Sequence, residues 1–136
     1  MIQAAQKHLF TGRWRGVREP RRKEYEIQIA VVTECKWRLR PGVVMLSIPN
    51  EEADKARAAK KKAMGALAGA ADLLFAWDDI GLHNLWLELK RDGGGLSPAQ
   101  LEFRVAVHAI GGFYEIAHGA DEAIATIEKY NLLKGR

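Results

Sequence analysis

Three side chains near the middle of the chain, Asp72, Glu88 and Lys90, have the types and spacing for hydrolytic chemistry. The run Asp72-Leu73-Leu74-Phe75-Ala76-Trp77 reads as a strand, Asp78 to Leu82 as a polar turn and His83 to Lys90 as the returning strand. A hairpin folded about Ile80 sets Asp72 opposite Glu88 and Leu74 opposite Trp86, with Cβ atoms about 5 Å apart. Lys90 shares the face of Glu88 because side chains alternate along a strand. Two carboxylates held this close oppose each other's ionisation, and a divalent cation removes the conflict. Carboxylate and carbonyl oxygens are hard ligands suited to Mg2+ or Mn2+, ions that keep several waters. Such a centre polarises a phosphoryl oxygen and lowers the pKa of a bound water, as hydrolysis of a phosphodiester requires. The triplet E-x-K is also common on solvated surfaces, so these three residues need support from their surroundings.

The elements that must position them follow from punctuation and periodicity. Residues 1–22 form a basic leader, helical near Gln3 to Phe10 and broken by Gly12, Gly16 and Pro20. A helix is expected from Lys23 to Leu39, ending before Pro41-Gly42, then a strand from Val43 to Ile48 stopped by Pro49-Asn50. The alanine- and lysine-rich stretch from Glu51 to Met64 reads as a helix with Asn50 as its N-cap. After the hairpin, Ser97 can cap a helix from Pro98 to Ile110, with proline in the first turn where its missing N–H costs little. A short strand from Phe113 to Ala117 and a helix from Asp121 to Leu133 complete the chain. There is no internal repeat, and the order α-β-α-β-β-α-β-α limits the class to α/β or α+β.

Composition agrees with a small enzyme. A chain of 136 residues suffices for one core but not two. No stretch approaches the roughly 20 apolar residues of a membrane span and no signal-peptide core is present, so a cytoplasmic location is expected. The single cysteine, Cys35, lies in an apolar helical pattern and reads as a buried thiol. The formal charge of +4 is concentrated in two places. Lys7, Arg13, Arg15, Arg18, Arg21, Arg22 and Lys23 form one, and Lys55, Arg57, Lys60, Lys61 and Lys62 the other. Both are candidate phosphate-contacting surfaces, with Arg21, Arg22, Lys60, Lys61 and Lys62 the residues expected to touch nucleic acid. Trp14, between two arginines, either stacks on a base or packs the leader onto the domain.

The chain reads Gly69-Ala70-Ala71-Asp72-Leu73-Leu74, then Trp86-Leu87-Glu88-Leu89-Lys90, then Gly93-Gly94-Gly95-Leu96-Ser97-Pro98-Ala99-Gln100, then Gly111-Gly112-Phe113-Tyr114. In this order it resembles the VRR-NUC family of the PD-(D/E)XK nuclease superfamily, from roughly Glu24 to Ala123 and most strongly from Asp72 to Gln100. One departure is Ala71, where the family pattern has a proline; proline shapes backbone and is not a ligand, so the chemistry is expected to survive.

The resemblance implies a restriction-endonuclease-like α/β core, a small mixed sheet flanked by helices, spanning residues 23–136 as a single nuclease domain. It implies Asp72 and Glu88 as ligands of one or two Mg2+ or Mn2+ ions, with the Leu89 carbonyl as a further oxygen. Lys90 would position the attacking water and stabilise developing charge. A family glutamate on the first helix corresponds best to Glu24, with Glu26 close enough to compete. Gln100 matches the family's glutamine after the lysine and would hold the phosphate or the water. Asn50 also matches a family position, although helix capping explains it equally well. His83, where the hairpin turn meets the returning strand, and His118, in the turn after the last strand, have no carboxylate partner, and the triple glycine reads as a connection whose backbone can approach DNA. Stand-alone relatives of bacterial and phage origin resemble Holliday-junction resolvases and tend to be homodimers. The expectation is therefore an endodeoxyribonuclease for four-way or branched DNA, acting as a homodimer. A noncatalytic DNA-binding module and a nuclease subunit dependent on a partner are the alternatives.

Overall fold

The computed structural model describes residues 23–49 and 54–136. Its elements are α1 (Glu24–Arg38), β1 (Val44–Ser47), α2 (Lys55–Ala63), β2 (Leu73–Asp78), β3 (Leu82–Lys90), α3 (Pro98–Ala109), β4 (Phe113–His118) and α4 (Ala120–Lys129). The strands form one mixed sheet in the order β1-β2-β3-β4, with β1, β2 and β3 antiparallel in turn and β4 parallel to β3. The parallel pair needs a crossover, which α3 supplies.

Alternation along the strands divides the sheet into two faces. Leu73 and Phe75 of β2, Leu85, Leu87 and Leu89 of β3 and Ala117 of β4 pack against Ile27, Val31 and Cys35 of α1 and Ala123, Ile124 and Ile127 of α4. On the other face Phe103 and Val107 of α3 pack with Ala70, Ala71 and Tyr114, and Trp86 and Ile116 lie against them. Because Leu87 and Leu89 point into the first core, Glu88 and Lys90 are carried to the second face, beneath α3. Burial of Cys35 pushes its thiol up to about 11, as expected of an inert packing residue.

The hairpin has the expected register, with Leu74 opposite Trp86 and the ladder running from Leu73↔Leu87 to Asp78↔Leu82. Two helix boundaries need correction. The second helix begins at Lys55, and its cap is Asp54, whose Oδ1 accepts from the amides of Ala56 and Arg57 at 2.8 and 3.4 Å. Asn50, the expected cap, lies outside the described residues, as does the leader 1–22 with Arg21, Arg22 and Trp14. The last helix stops at Lys129 because Asn131 adopts φ +58°, a left-handed stop. Leu132 and Leu133 then turn into the core, and Leu133 forms a bridge with Leu39.

Candidate active site

The strand ends of β2 and β3 and the first turn of α3 converge on one carboxylate. Glu88 is only 3% exposed, and its Oε1 lies 3.1 Å from Lys90 Nζ. The same oxygen accepts from Gln100 Nε2 at 2.7 Å. The orientation of that amide is fixed locally: Gln100 Oε1 accepts from the Ser97 amide at 2.8 Å while Ser97 Oγ accepts from the Gln100 amide at 3.3 Å. This is a capping box, so the motif that starts α3 also turns the Gln100 NH2 group toward Glu88.

Asp72 stands at the foot of β2, one residue beyond the ladder. Its Oδ2 accepts from the Leu89 amide at 2.7 Å. A strand residue sends its N–H and C=O to the same edge, so the Leu89 carbonyl also faces the Asp72 side. Glu24, the first residue of α1, lines an open cavity of about 500 Å3 together with Asp72, Gln28 and Ser47. Glu26 faces elsewhere, its Oε2 accepting from the Lys23 amide at 3.2 Å. Of the two competing glutamates, Glu24 is therefore the one beside Asp72.

The electrostatics of this cluster are those of charge held against its preference. Burial first, and the Asp72 charge second, push the Glu88 carboxyl up to about 7; Lys90 pulls it down and Glu24 adds to the rise. Glu88 Oε2 is buried without a hydrogen-bond partner. An orphaned anionic oxygen costs several times what an ordinary hydrogen bond returns, so this oxygen demands a cation or a donor. The donor set fits Mg2+ or Mn2+, which take one or two carboxylates and complete their shells with water. Among the described residues no group of three or more His, Cys, Asp or Glu is arranged to hold a metal.

Lys60, Lys61 and Lys62 lie on α2, apart from this cluster; Lys61 and Lys62 line a cavity of about 310 Å3 with Pro49 and Gly69. Two residues near the site escape the sequence reading. Tyr114 is buried against α3, its hydroxyl also lacks a partner, and burial followed by the Glu88 charge holds its phenol well above the ordinary range. Its alternation with Ile116 along β4 was the available signal. His118 is the last residue of β4 rather than a turn residue, and Glu122 Oε2 lies 3.8 Å from its Nδ1, a carboxylate partner that sequence reasoning did not place.

A mixed sheet carrying Asp72 and an E-x-K strand beneath a helix, with Gln100 closing over the glutamate, defines a restriction-endonuclease-like α/β domain. The comparisons agree. A solved structure described as a VRR_NUC domain protein superposes with a TM-score of 0.61 at 26% identity, covering 82% of this chain and 89% of that one. This likeness supports the resemblance to the VRR-NUC family carried by the residues from Asp72 to Gln100. No protein-family model and no curated protein matches the sequence.

Proposed function

We propose that the protein is a metal-dependent, structure-selective DNA endonuclease that hydrolyses phosphodiester bonds in Holliday junctions or other branched DNA, acting as a homodimer. The observation that carries the reading is the buried, unpartnered Glu88 Oε2 beside Asp72, with Lys90 and Gln100 on the other oxygen. Likeness to a VRR_NUC domain protein supports the nuclease class.

Asp72 and Glu88 would hold Mg2+ or Mn2+, with the Leu89 carbonyl as a further oxygen. Such an ion supplies Lewis-acid polarisation of the phosphoryl oxygen and acidifies water. Lys90, almost buried at 7% exposure, offers a cation where charge grows on the pentacoordinate phosphorus. Gln100 has two amide donors, so one can serve Glu88 while the other orients the attacking water or a phosphate oxygen. Water oxygen bonds to phosphorus as the bond to the 3′-oxygen breaks, and the leaving oxygen takes a proton, giving 3′-hydroxyl and 5′-phosphate ends. The lysines of α2 would hold the backbone without reading bases. Tyr25, Ile29 and Trp37, exposed on α1, offer an apolar surface for a second copy. No described helix is long and apolar enough to cross a membrane.

The test is cleavage of labelled four-way junction, flap and linear duplex in Mg2+ or Mn2+, with Glu88→Ala beside wild type. Junction cutting that disappears in the variant is expected. Wild-type protein that binds all three DNAs and cuts none would overturn the catalytic reading in favour of a binding module.

A further inference from the structure

The loop after β3 packs on the stem of buried Lys90, and a hydrogen bond from one histidine reaches that loop. The triple-glycine segment after β3 folds back so that a Cβ on Gly94 would meet Cβ and Cδ of Lys90 at 3.3 and 3.4 Å, and the Gly94 amide donates to the Arg91 carbonyl at 2.9 Å. Glycine is the residue that allows so close an approach. The Gly94 carbonyl lies 2.8 Å from Nε2 of His118. A carbonyl only accepts, so Nε2 carries the proton. His118 is directly opposite Lys90 in the parallel β3–β4 pair, and the Gly119 amide donates to the Lys90 carbonyl at 3.0 Å. Behind the imidazole, Glu122 Oε2 accepts from the His118 amide at 2.9 Å and lies 3.8 Å from Nδ1.

We propose that His118 is a positioning residue: by donating to the Gly94 carbonyl it latches the glycine loop over the Lys90 stem and keeps the ammonium directed at Glu88. The inference rests on Lys90 being the lysine of the hydrolytic site, but the latch itself is a matter of geometry and can be read without DNA. The imidazole ties the end of β4 to the loop after β3, so two elements joined only through α3 in sequence share one fastening. Without it the loop has the Arg91–Gly94 turn to hold it, and three glycines give that turn many other conformations.

The experiment is acylation of amines in the full chain by N-hydroxysuccinimidyl acetate, read by mass spectrometry as the rate at Lys90 relative to exposed Lys60. His118→Gln places an amide N–H where Nε2 stands, whereas His118→Asn is too short to reach. Lys90 should stay protected in wild type and His118→Gln, and react about fivefold faster in His118→Asn, the factor that loss of one ordinary hydrogen bond gives. Cleavage measured beside it should lose kcat with KM unchanged in His118→Asn and recover in His118→Gln. Equal protection in all three proteins, or equal loss in both variants, overturns the latch. An independent check needs no variant: nitrogen-15 shifts of neutral His118 in the wild type should report the Nε2–H tautomer, and the Nδ1–H tautomer overturns the proposal. If no protein cuts DNA, the endonuclease reading fails while acylation and tautomer still decide the latch.

Discussion

Glu88 is asked to be buried, to sit beside Asp72 and to be ionised for the proposed chemistry. The first two raise its carboxyl from an ordinary 4.5 to about 7. Between those values the native protein binds more protons than the unfolded chain, so this group makes stability fall as pH rises from about 4.5 to about 7 and level off above. Denaturant unfolding without divalent ions should show that slope, and Glu88→Gln should lack it. The slope is diagnostic rather than the absolute stability, because the variant also strips Lys90 of its buried partner. A cation that binds the ionised carboxylate must displace the proton first. Added Mg2+ should therefore raise the melting temperature more at pH 8 than at pH 5 in wild type, and leave Glu88→Gln unmoved. An equal Mg2+ effect in wild type and variant would place the ion elsewhere. The convergence of Asp72, Glu88, Lys90 and Gln100 was legible because each belongs to a local pattern. The joining of His118 to Gly94, 24 residues away, has no local signal, although Glu122 four residues beyond the histidine was in plain view.

At the scale of elements, register was readable and helix ends were not. The hairpin register follows from alternation, since a slip of one residue would carry Leu73, Leu85 and Leu87 out of the core. The start of α2 was hidden because the helix buries no residue, leaving no periodic face to mark its first turn. The end of α4 was hidden because Leu132 and Leu133 continue an apolar pattern past a left-handed Asn131. Gly69 shows how a backbone position can govern a side chain in another element. It has φ +81°, and a Cβ there would overlap the Ala99 carbonyl group and come 2.7 Å from the Gln100 amide nitrogen. Those atoms belong to the turn that aims Gln100 at Glu88. Gly69→Ala should cost about 3 kcal/mol, the left-handed backbone adding about 1–2 kcal/mol to the displacement of α3. Cleavage should fall further than the folded fraction does. Gly65→Ala is the control, since Gly65 has φ +99° but open space around its Cβ position. Melts and cleavage rates of the two variants separate backbone strain from displacement of α3, and equal effects at both positions would refute that link.

At the scale of the whole molecule, α2 is the element that packing does least to explain. It contributes nothing to either core, yet it is capped by Asp54 and carries Arg57, Lys60, Lys61 and Lys62 beside the chain that leads through Gly69 to Asp72. A helix that buries nothing gains little from tertiary contacts, and under the proposed function its lysines would serve as a surface for phosphate. Phosphate contacts release counterions, and each one adds about 0.9 to the slope of log affinity against log salt on duplex DNA. Replacing Lys60, Lys61 and Lys62 together by glutamine should flatten that slope by up to about 2.7 if all three touch phosphate. Affinity should weaken to a similar degree for junction, flap and linear duplex, because these contacts read backbone and not structure. At saturating DNA the cleavage rate should be kept, since the Glu88–Lys90–Gln100 cluster is built from β3 and α3. Binding titrations across a salt series, with cleavage measured at saturation, separate these terms. An unchanged slope would remove α2 from the DNA surface, whereas a flattened slope with loss of junction preference would make it part of substrate selection.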